Sequence, residues 1–495
     1  MNYTDIENIT ARFLHQNHQL QMQEGQYCKD LSLSCWSSPV YRLSEDGREG
    51  GMFCDTFTYR FYRENETDYC RVIMKRLETR IEEADGVSSI TDVRWSTIQE
   101  MLPWEYTNQD LILSGDETED GTKKGFCYEK LPAWPSLPVH GINDPQDVLD
   151  IRNLQNKVFE HRLHGIAKLF SETCEAELFL DKCMEAPVIG KEQIDNWSRA
   201  YLDTETQNHH CYRFLGITGL PVIEIANEKT HAKGLFMTEL CIIDAFAEDM
   251  EQWQLRRYLG YVQSDYVKEN DIWKIRKMEL QTVAAMPVIP YRNDGRYDKS
   301  GQSEEPWNID QENFGSIHTE DAMEIENIIN GWALSCRCGK LMAYADRYFA
   351  MPEGEPKMLI RSFGAKTKKL ENLEEIREKL SGMISQYQNR YYTFHAPTTP
   401  VLQYEGDQEH IIGTWFDCGT TNLRSMAKSV NEIPYMIFIN KYVHRFRKID
   451  GRWYFAEFYG EPAIGFPDWY FDLEHSRGYV SLEGTKCYPD EFLLL

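Results

Sequence analysis

Much that would announce a function is missing from this chain. No run of apolar residues approaches the roughly 20 that cross a bilayer as a helix. The start, MNYTDIENITARF, has none of the apolar stretch of a signal peptide. Both absences predict a soluble, cytoplasmic protein with no membrane partner. Basic residues are scarce, 53 Lys and Arg against 79 Asp and Glu, for a formal charge of -26 over 495 residues. That balance argues against a nucleic-acid partner, whose backbone is bound by clustered cations that displace counterions. No G-x-x-x-x-G-K-[ST] loop, G-x-G-x-x-G turn, H-E-x-x-H helix or G-x-S-x-G elbow occurs. Nucleotide hydrolysis, dinucleotide redox chemistry, zinc proteolysis and the serine-hydrolase elbow therefore lack their sequence marks, and no cofactor is expected. The thirteen cysteines contain no C-x-x-C pair, which suits reduced, buried thiols better than a disulfide framework. Cys336 and Cys338 are the closest two. Without a second Cys/His pair at zinc-finger spacing they read as helix positions, and no metal site is expected.

What is present is a repeat. A helix-like start reads IENI at 6–9, IRNL at 151–154 and IENI again at 325–328. After each comes a Pro-Val step (Pro39, Pro221, Pro400), then a glycine with an aromatic two residues on: Gly51 and Phe53, Gly234 and Phe236, Gly413 and Trp415. The Pro-to-Gly gaps are 12, 13 and 13 residues. Each copy closes on a tryptophan behind an acidic turn (Trp95, Trp273, Trp453), at Gly-to-Trp gaps of 44, 39 and 40. Landmarks in fixed order at near-fixed spacing mark tandem units of one fold.

The third copy shows what a unit is. From Ile325 the apolar positions follow helical spacing, and LENLEEIREKLSGMISQY (370–387) is a second helical stretch. The period then changes: TFHAPTTPVLQYEGDQEHIIGTWFDCG reads as a hairpin about Glu405-Gly406-Asp407, and 435–446 and 453–460 read as strands joined near Asp450-Gly451. Helices followed by consecutive antiparallel strands predict an α+β class, each unit a curved antiparallel sheet wrapped around helices as a cone. The expected division is a shortened, degenerate unit over 1–110, a linker over 111–145, a unit over 146–291, a linker over 292–317, a unit over 318–472 holding the best candidate site, and a C-terminal tail over 473–495.

This order resembles the SnoaL-like branch of the nuclear transport factor 2-like superfamily, well over 145–290 and 320–470 and weakly over 1–102. The first copy has 31 residues between Asn8 and Pro39 where the others have 68 and 73, so about a helix pair is missing from it. The superfamily contains dehydratases, isomerases, cyclases and hydrolases of small molecules, and units that only bind or assemble, so the fold does not fix the function.

The resemblance implies a histidine on the strand leading into the proline as general acid or base. Only the third copy has one there: His395, five residues before Pro400, where the others have Ser34 and Gly216. An imidazole titrates near neutrality and can take and return a proton, although a lone strand histidine is more often a wall residue. Along 435–446 one parity gives Phe438, Asn440, Tyr442 and His444, an aromatic face with a few polar groups like a small-molecule pocket. Tyr442 and His444 join His395 as candidate catalytic residues. Asn440, Asp417, Phe438, Trp332 and Glu457 are candidate substrate contacts, Asp417 and Glu457 also as partners for a histidine. His209 and His210 are the second unit's candidates, though neighbours on a strand point to opposite faces. The Tyr/Asp pair that such dehydratases carry on the first helix is absent: the matching positions hold Phe13 and His18, Val158 and Leu163, Trp332 and Arg337.

Two readings follow. The first is a cofactor-independent lyase or isomerase, performing dehydration or double-bond migration on a mostly apolar polycyclic or polyketide-like molecule. The second is a non-enzymatic small-molecule-binding or assembly protein of such units, and a homo-oligomer through sheet faces is expected to be open to it.

Overall fold

Each unit begins with a helix whose start is written into its first residues. In helix α1 (Tyr3–Leu20), Asn2 and Asp5 exchange side-chain and backbone hydrogen bonds of 3.1 and 2.9 Å, a reciprocal cap. In α2 (Pro145–Glu160), Asp144 accepts from the Gln146 amide and Pro145 takes the first turn, where no amide hydrogen is needed. Helix α4 (Thr319–Cys338) opens the third unit. The computed structural model describes residues 1–20, 27–28, 30–65, 67–101, 104–106, 126–127, 144–160, 165–202, 209–246, 249–285, 289–291, 316–338, 340–360, 368–389, 391–423, 433–464 and 477–480. Among them no helix is long and apolar enough to cross a membrane.

Four long antiparallel strands follow in each unit, paired in chain order. They are β1 (Asp30–Leu43), β2 (Glu49–Glu64), β3 (Thr67–Ala84) and β4 (Val87–Met101) in the first. The second has β5 (His209–Ile225), β6 (His231–Phe246), β7 (Asp249–Glu269) and β8 (Ile272–Ala285). The third has β9 (Tyr391–Tyr404), β10 (His410–Leu423), β11 (Ile433–Ile449) and β12 (Arg452–Ile464). Before their strands the later units add α3 (Lys191–Leu202), and α5 (Leu341–Tyr348) with α6 (Leu373–Asn389). The architecture is thus α+β in three tandem units. Part of the expected tail is structural: strand β13 (Arg477–Val480) pairs with both β11 and β4, joining the third sheet to the first.

The last hairpin of each unit turns on residues with positive φ: Asp85 and Gly86, Asn270 and Asp271, Asp450 and Gly451. This tight turn matches the strands' own twist, and it corrects one landmark. Trp273 and Trp453 stand two residues past their turns, buried, each donating its indole N–H to the first-turn aspartate of its own helix, Asp147 at 2.8 Å and Asp321 at 2.9 Å. The same place in the first unit holds Ser88, while Trp95 lies further along β4 and is 44% exposed. The gap of 44 was a slipped match. The Pro-to-Gly gap of 12 is another, since Pro39 pairs with Cys54 where Pro221 pairs with Phe236, putting Phe53 on the opposite face of its sheet from Phe236.

The IENI and IRNL motifs place the units around a common axis. Their asparagines clamp the next unit's backbone two residues past its proline. Asn8 donates to the Ile223 carbonyl (2.7 Å) and Asn153 brackets Leu402 (3.4 and 3.3 Å). Asn327 brackets Tyr41 (3.1 and 2.8 Å). The first unit grips the second, the second the third, and the third the first, a cyclic pseudo-threefold arrangement that puts Pro39, Pro221 and Pro400 in equivalent places. The sheets' outer faces bury one another in one continuous core that includes Phe57, Leu215, Met237, Phe394 and Cys418.

Candidate functional site

The inner face of the third sheet is fixed by pairing register. His395 pairs with Gly419 and Gly419 with Phe438; Asp417 pairs with Asn440, Trp415 with Tyr442, and Gly413 with His444. Side chains alternate across a strand, so these residues share one face. From the far side Trp332 of α4 closes on it, 4.9 Å ring to ring from Phe458.

One end of this face is polar. His395 Nδ1 lies 2.8 Å from Asp417 Oδ2, and Asn440 Nδ2 donates to the same oxygen at 3.2 Å. The His395 side chain is 10% exposed and Asp417 fully buried. The other atom of each group, His395 Nε2 and Asp417 Oδ1, is buried without a hydrogen-bond partner. The Phe438 ring stands 5.0 Å from the imidazole.

The other end is aromatic. His444 stacks on Phe458 with centroids 4.1 Å apart, and Tyr442, Phe455 and Trp415 lie within 5.6 Å of it. Neither of its ring nitrogens has a partner, and burial pushes its pKa well below the usual histidine value. The imidazole is therefore neutral. The indole N–H of Trp332 is also buried and unpartnered. Unmet polar groups in an apolar interior are costly, and here several of them line one face.

The structure thus brings together His395, Asp417, Asn440 and Phe438, and separately Tyr442, His444 and Trp332. Glu457 is a correction: it pairs with Arg445 in the register and accepts from its guanidinium at 2.9 Å, on the opposite face of the sheet. His444 pairs with Phe458, and the irregular step between Phe455 and Glu457 brings Phe455, which pairs with Phe446, to the inner face as well. The side chains of His209 and His210 fall outside the described residues. The sequence pattern singles out Trp332 on the helix side but not Phe455 and Phe458, the aromatic residues of β12 that face it and His444.

The second unit's counterpart is occupied. Gly216 pairs with Leu240 as His395 pairs with Gly419, and a Cβ there would sit 1.9 Å from Phe159 Cδ1. Phe159 of α2 fills that space, while Gln155 accepts from Ser264 and Tyr266 hydroxyls at 2.7 Å across the rest of the interior.

Solved structures resembling this chain match one unit's length. A protein of the nuclear transport factor 2-like family from Streptomyces avermitilis is 11% identical over 30% of this chain and 100% of its own, with a TM-score of 0.25. Hexachlorocyclohexane dehydrochlorinase LinA-type3 from Novosphingobium barchaimii is 13% identical over 30% of this chain and 94% of its own, TM-score 0.23. Aln2 from a Streptomyces species is 9% identical over 29% of this chain and 91% of its own, TM-score 0.23. No family model matches the chain, and no curated protein does. In the element order itself, one helix precedes four long antiparallel strands in the first unit, and helices precede four such strands in the second and third, the α+β order expected of tandem units.

Proposed function

We propose that the third unit is the active site of a cofactor-independent lyase or isomerase acting on an elongated, mostly apolar small molecule. The observation that carries this is the His395–Asp417 pair at 2.8 Å, with His395 Nε2 buried and unpartnered on the inner face. A carboxylate accepts only, so Asp417 holds the proton of His395 on Nδ1 and leaves Nε2 a lone pair. Nε2 takes a proton from a substrate carbon, and the C–H pair becomes the new double bond. In elimination the leaving group departs with its bonding pair and receives the proton from the imidazolium; in isomerisation the proton returns to another carbon. The indole N–H of Trp332 is available to hold a substrate oxygen, and Asn440 steadies Asp417.

The length of the face supports the substrate class. Asn440 and His444 are four residues apart on β11, about 13 Å at the rise of a strand, between a polar end and an aromatic one. A ligand reaching both is polycyclic or similarly extended, with most of its surface against Phe438, Tyr442 and Phe458. Phe159 in the second unit favours a structural role for that unit.

Carbon-acid exchange tests the proposal without knowledge of the natural substrate. Washout of the α-deuterons of 2-tetralone is followed by NMR with the parent and His395→Ala. The expected result is protein-dependent exchange that falls by about 10² to 10⁴-fold in the variant, the contribution of a general base. Parent and variant exchanging equally fast would remove His395 from the chemistry.

A further inference from the structure

The three helices that meet on the pseudo-threefold axis carry an odd number of charges there. The second position of each motif points inward: Glu7 from α1, Arg152 from α2 and Glu326 from α4, all at most 4% exposed. Arg152 Nη1 donates to Glu7 Oε1 and Oε2 at 2.9 and 3.2 Å and to Glu326 Oε2 at 3.3 Å, and Nη2 donates to Glu326 Oε1. Among the described residues, the other titratable groups near the triad are Tyr41 of β1, which donates to Glu7 Oε1 at 3.0 Å, Tyr3 of α1, whose ring lies under the guanidinium, and the buried thiol of Cys54 on β2, which Glu7 helps to keep protonated. Burial keeps both phenols un-ionised. A cavity of about 20 Å³, room for about one water, opens beside the triad between Pro39, Pro221 and Pro400 of the three units. Arg152 Nε is buried and unpartnered.

Two carboxylates against one guanidinium leave one negative charge out of water, which a bound proton cancels. We propose that the axis is a proton-binding lock: the three units close around it with one carboxylate protonated, and their association loosens as pH rises from the acid side to neutrality. The geometry selects Glu326 as the proton's place, because Tyr41 already donates to Glu7. Burial first, then repulsion from Glu7, push the Glu326 carboxyl up to about 7 against the opposing pull of Arg152. An unfolded glutamate titrates near 4.3. The folded chain therefore keeps a proton that the unfolded chain has released. This contribution is fully present below the unfolded value and is lost as pH rises through the folded one.

The test is urea unfolding of the full chain at half-unit steps from pH 5 to 8, comparing the parent with Glu326→Gln. The glutamine still accepts from Arg152 but titrates no proton. From pH 5 to about 7 the parent's unfolding constant is expected to rise by up to about tenfold per pH unit relative to the variant, the slope for one linked proton, and to level off above. Identical pH dependences would overturn the proposal. Should Glu326→Gln fail to fold, Glu7→Gln balances the axis at one carboxylate to one guanidinium and is expected to lose the same slope; a retained slope overturns the lock. Infrared spectroscopy adds a direct reading. The carbonyl band of a buried carboxylic acid is expected in the parent at pH 6 and absent from Glu326→Gln, and a parent without that band contradicts the assignment.

Discussion

Asp417 determines what His395 can do, since a carboxylate that cannot donate fixes the imidazole tautomer. Asp417→Asn offers an amide donor to Nδ1 instead. Nε2 then carries the hydrogen, and exchange catalysis is expected to drop about 10² to 10⁴-fold with the fold intact. Imidazole nitrogen NMR of the variant checks the tautomer; an unchanged spectrum would contradict this reading of the pair. His444 has a different environment, buried among rings with both nitrogens unpartnered. His444→Phe fits the same box and removes those groups, so it is expected to stabilise the chain by about 1 to 3 kcal/mol. Its pH signature has a definite sign. With the folded pKa depressed, the unfolded chain takes up a proton first, and the parent loses stability as pH falls below the unfolded value of about 6.5. The phenylalanine variant is expected to lack that part of the acid loss. A denaturation series at pH 5 and 7 that finds equal losses for the two proteins would rule the effect out.

Elements show where sequence patterning sufficed and where it failed. The third unit's hairpin, its strand parity and the placing of His395 five residues before Pro400 were legible because period-2 alternation and turn chemistry are local. The hydrogen-bond partner across 22 residues was legible only as a candidate, since strand register is set by pairing. In the first unit two landmarks are displaced, Trp95 by seven residues from Ser88 and Phe53 by one from Cys54, because an aromatic residue near the expected spacing does not reveal which face it occupies. The hairpin turns give the better alignment, and they separate the tryptophans by energy. Trp453→Ala removes a buried indole that donates to Asp321, and it is expected to cost about 3 to 5 kcal/mol. Trp95→Ala, at an exposed position, is expected to stay within about 0.5 kcal/mol. Urea midpoints of the two variants decide the matter: similar losses would mean that Trp95 has a buried partner.

At the scale of the whole molecule, the repeated motif marks three helix starts, and its polar residues are contacts between the units. Nothing local in IENI or IRNL says that the second residue meets its counterparts across sequence separations of 145 and 174 residues. The signal was there in the motif itself, a charged residue and an asparagine kept in all three copies. Breaking the buried triad by Arg152→Ala leaves two unpaired carboxylates and is expected to cost about 3 to 5 kcal/mol. Because the axis is pseudo-symmetric, Glu7→Arg together with Arg152→Glu is expected to recover part of what Arg152→Glu alone loses. No recovery, by thermal melts of the three variants, would argue against equivalent positions.

On the proposed function, chemistry resides in the third unit while the other two support it. Deuteron washout from 2-tetralone, measured in parallel for the parent, His395→Gln and His210→Gln at matched folded concentration, distinguishes the third unit from the second. His395→Gln is expected to lose about 10² to 10⁴-fold in rate, and His210→Gln to exchange at the parent's rate. A large loss in His210→Gln with His395→Gln unaffected would place the working site in the second unit and rule out His395 as the base.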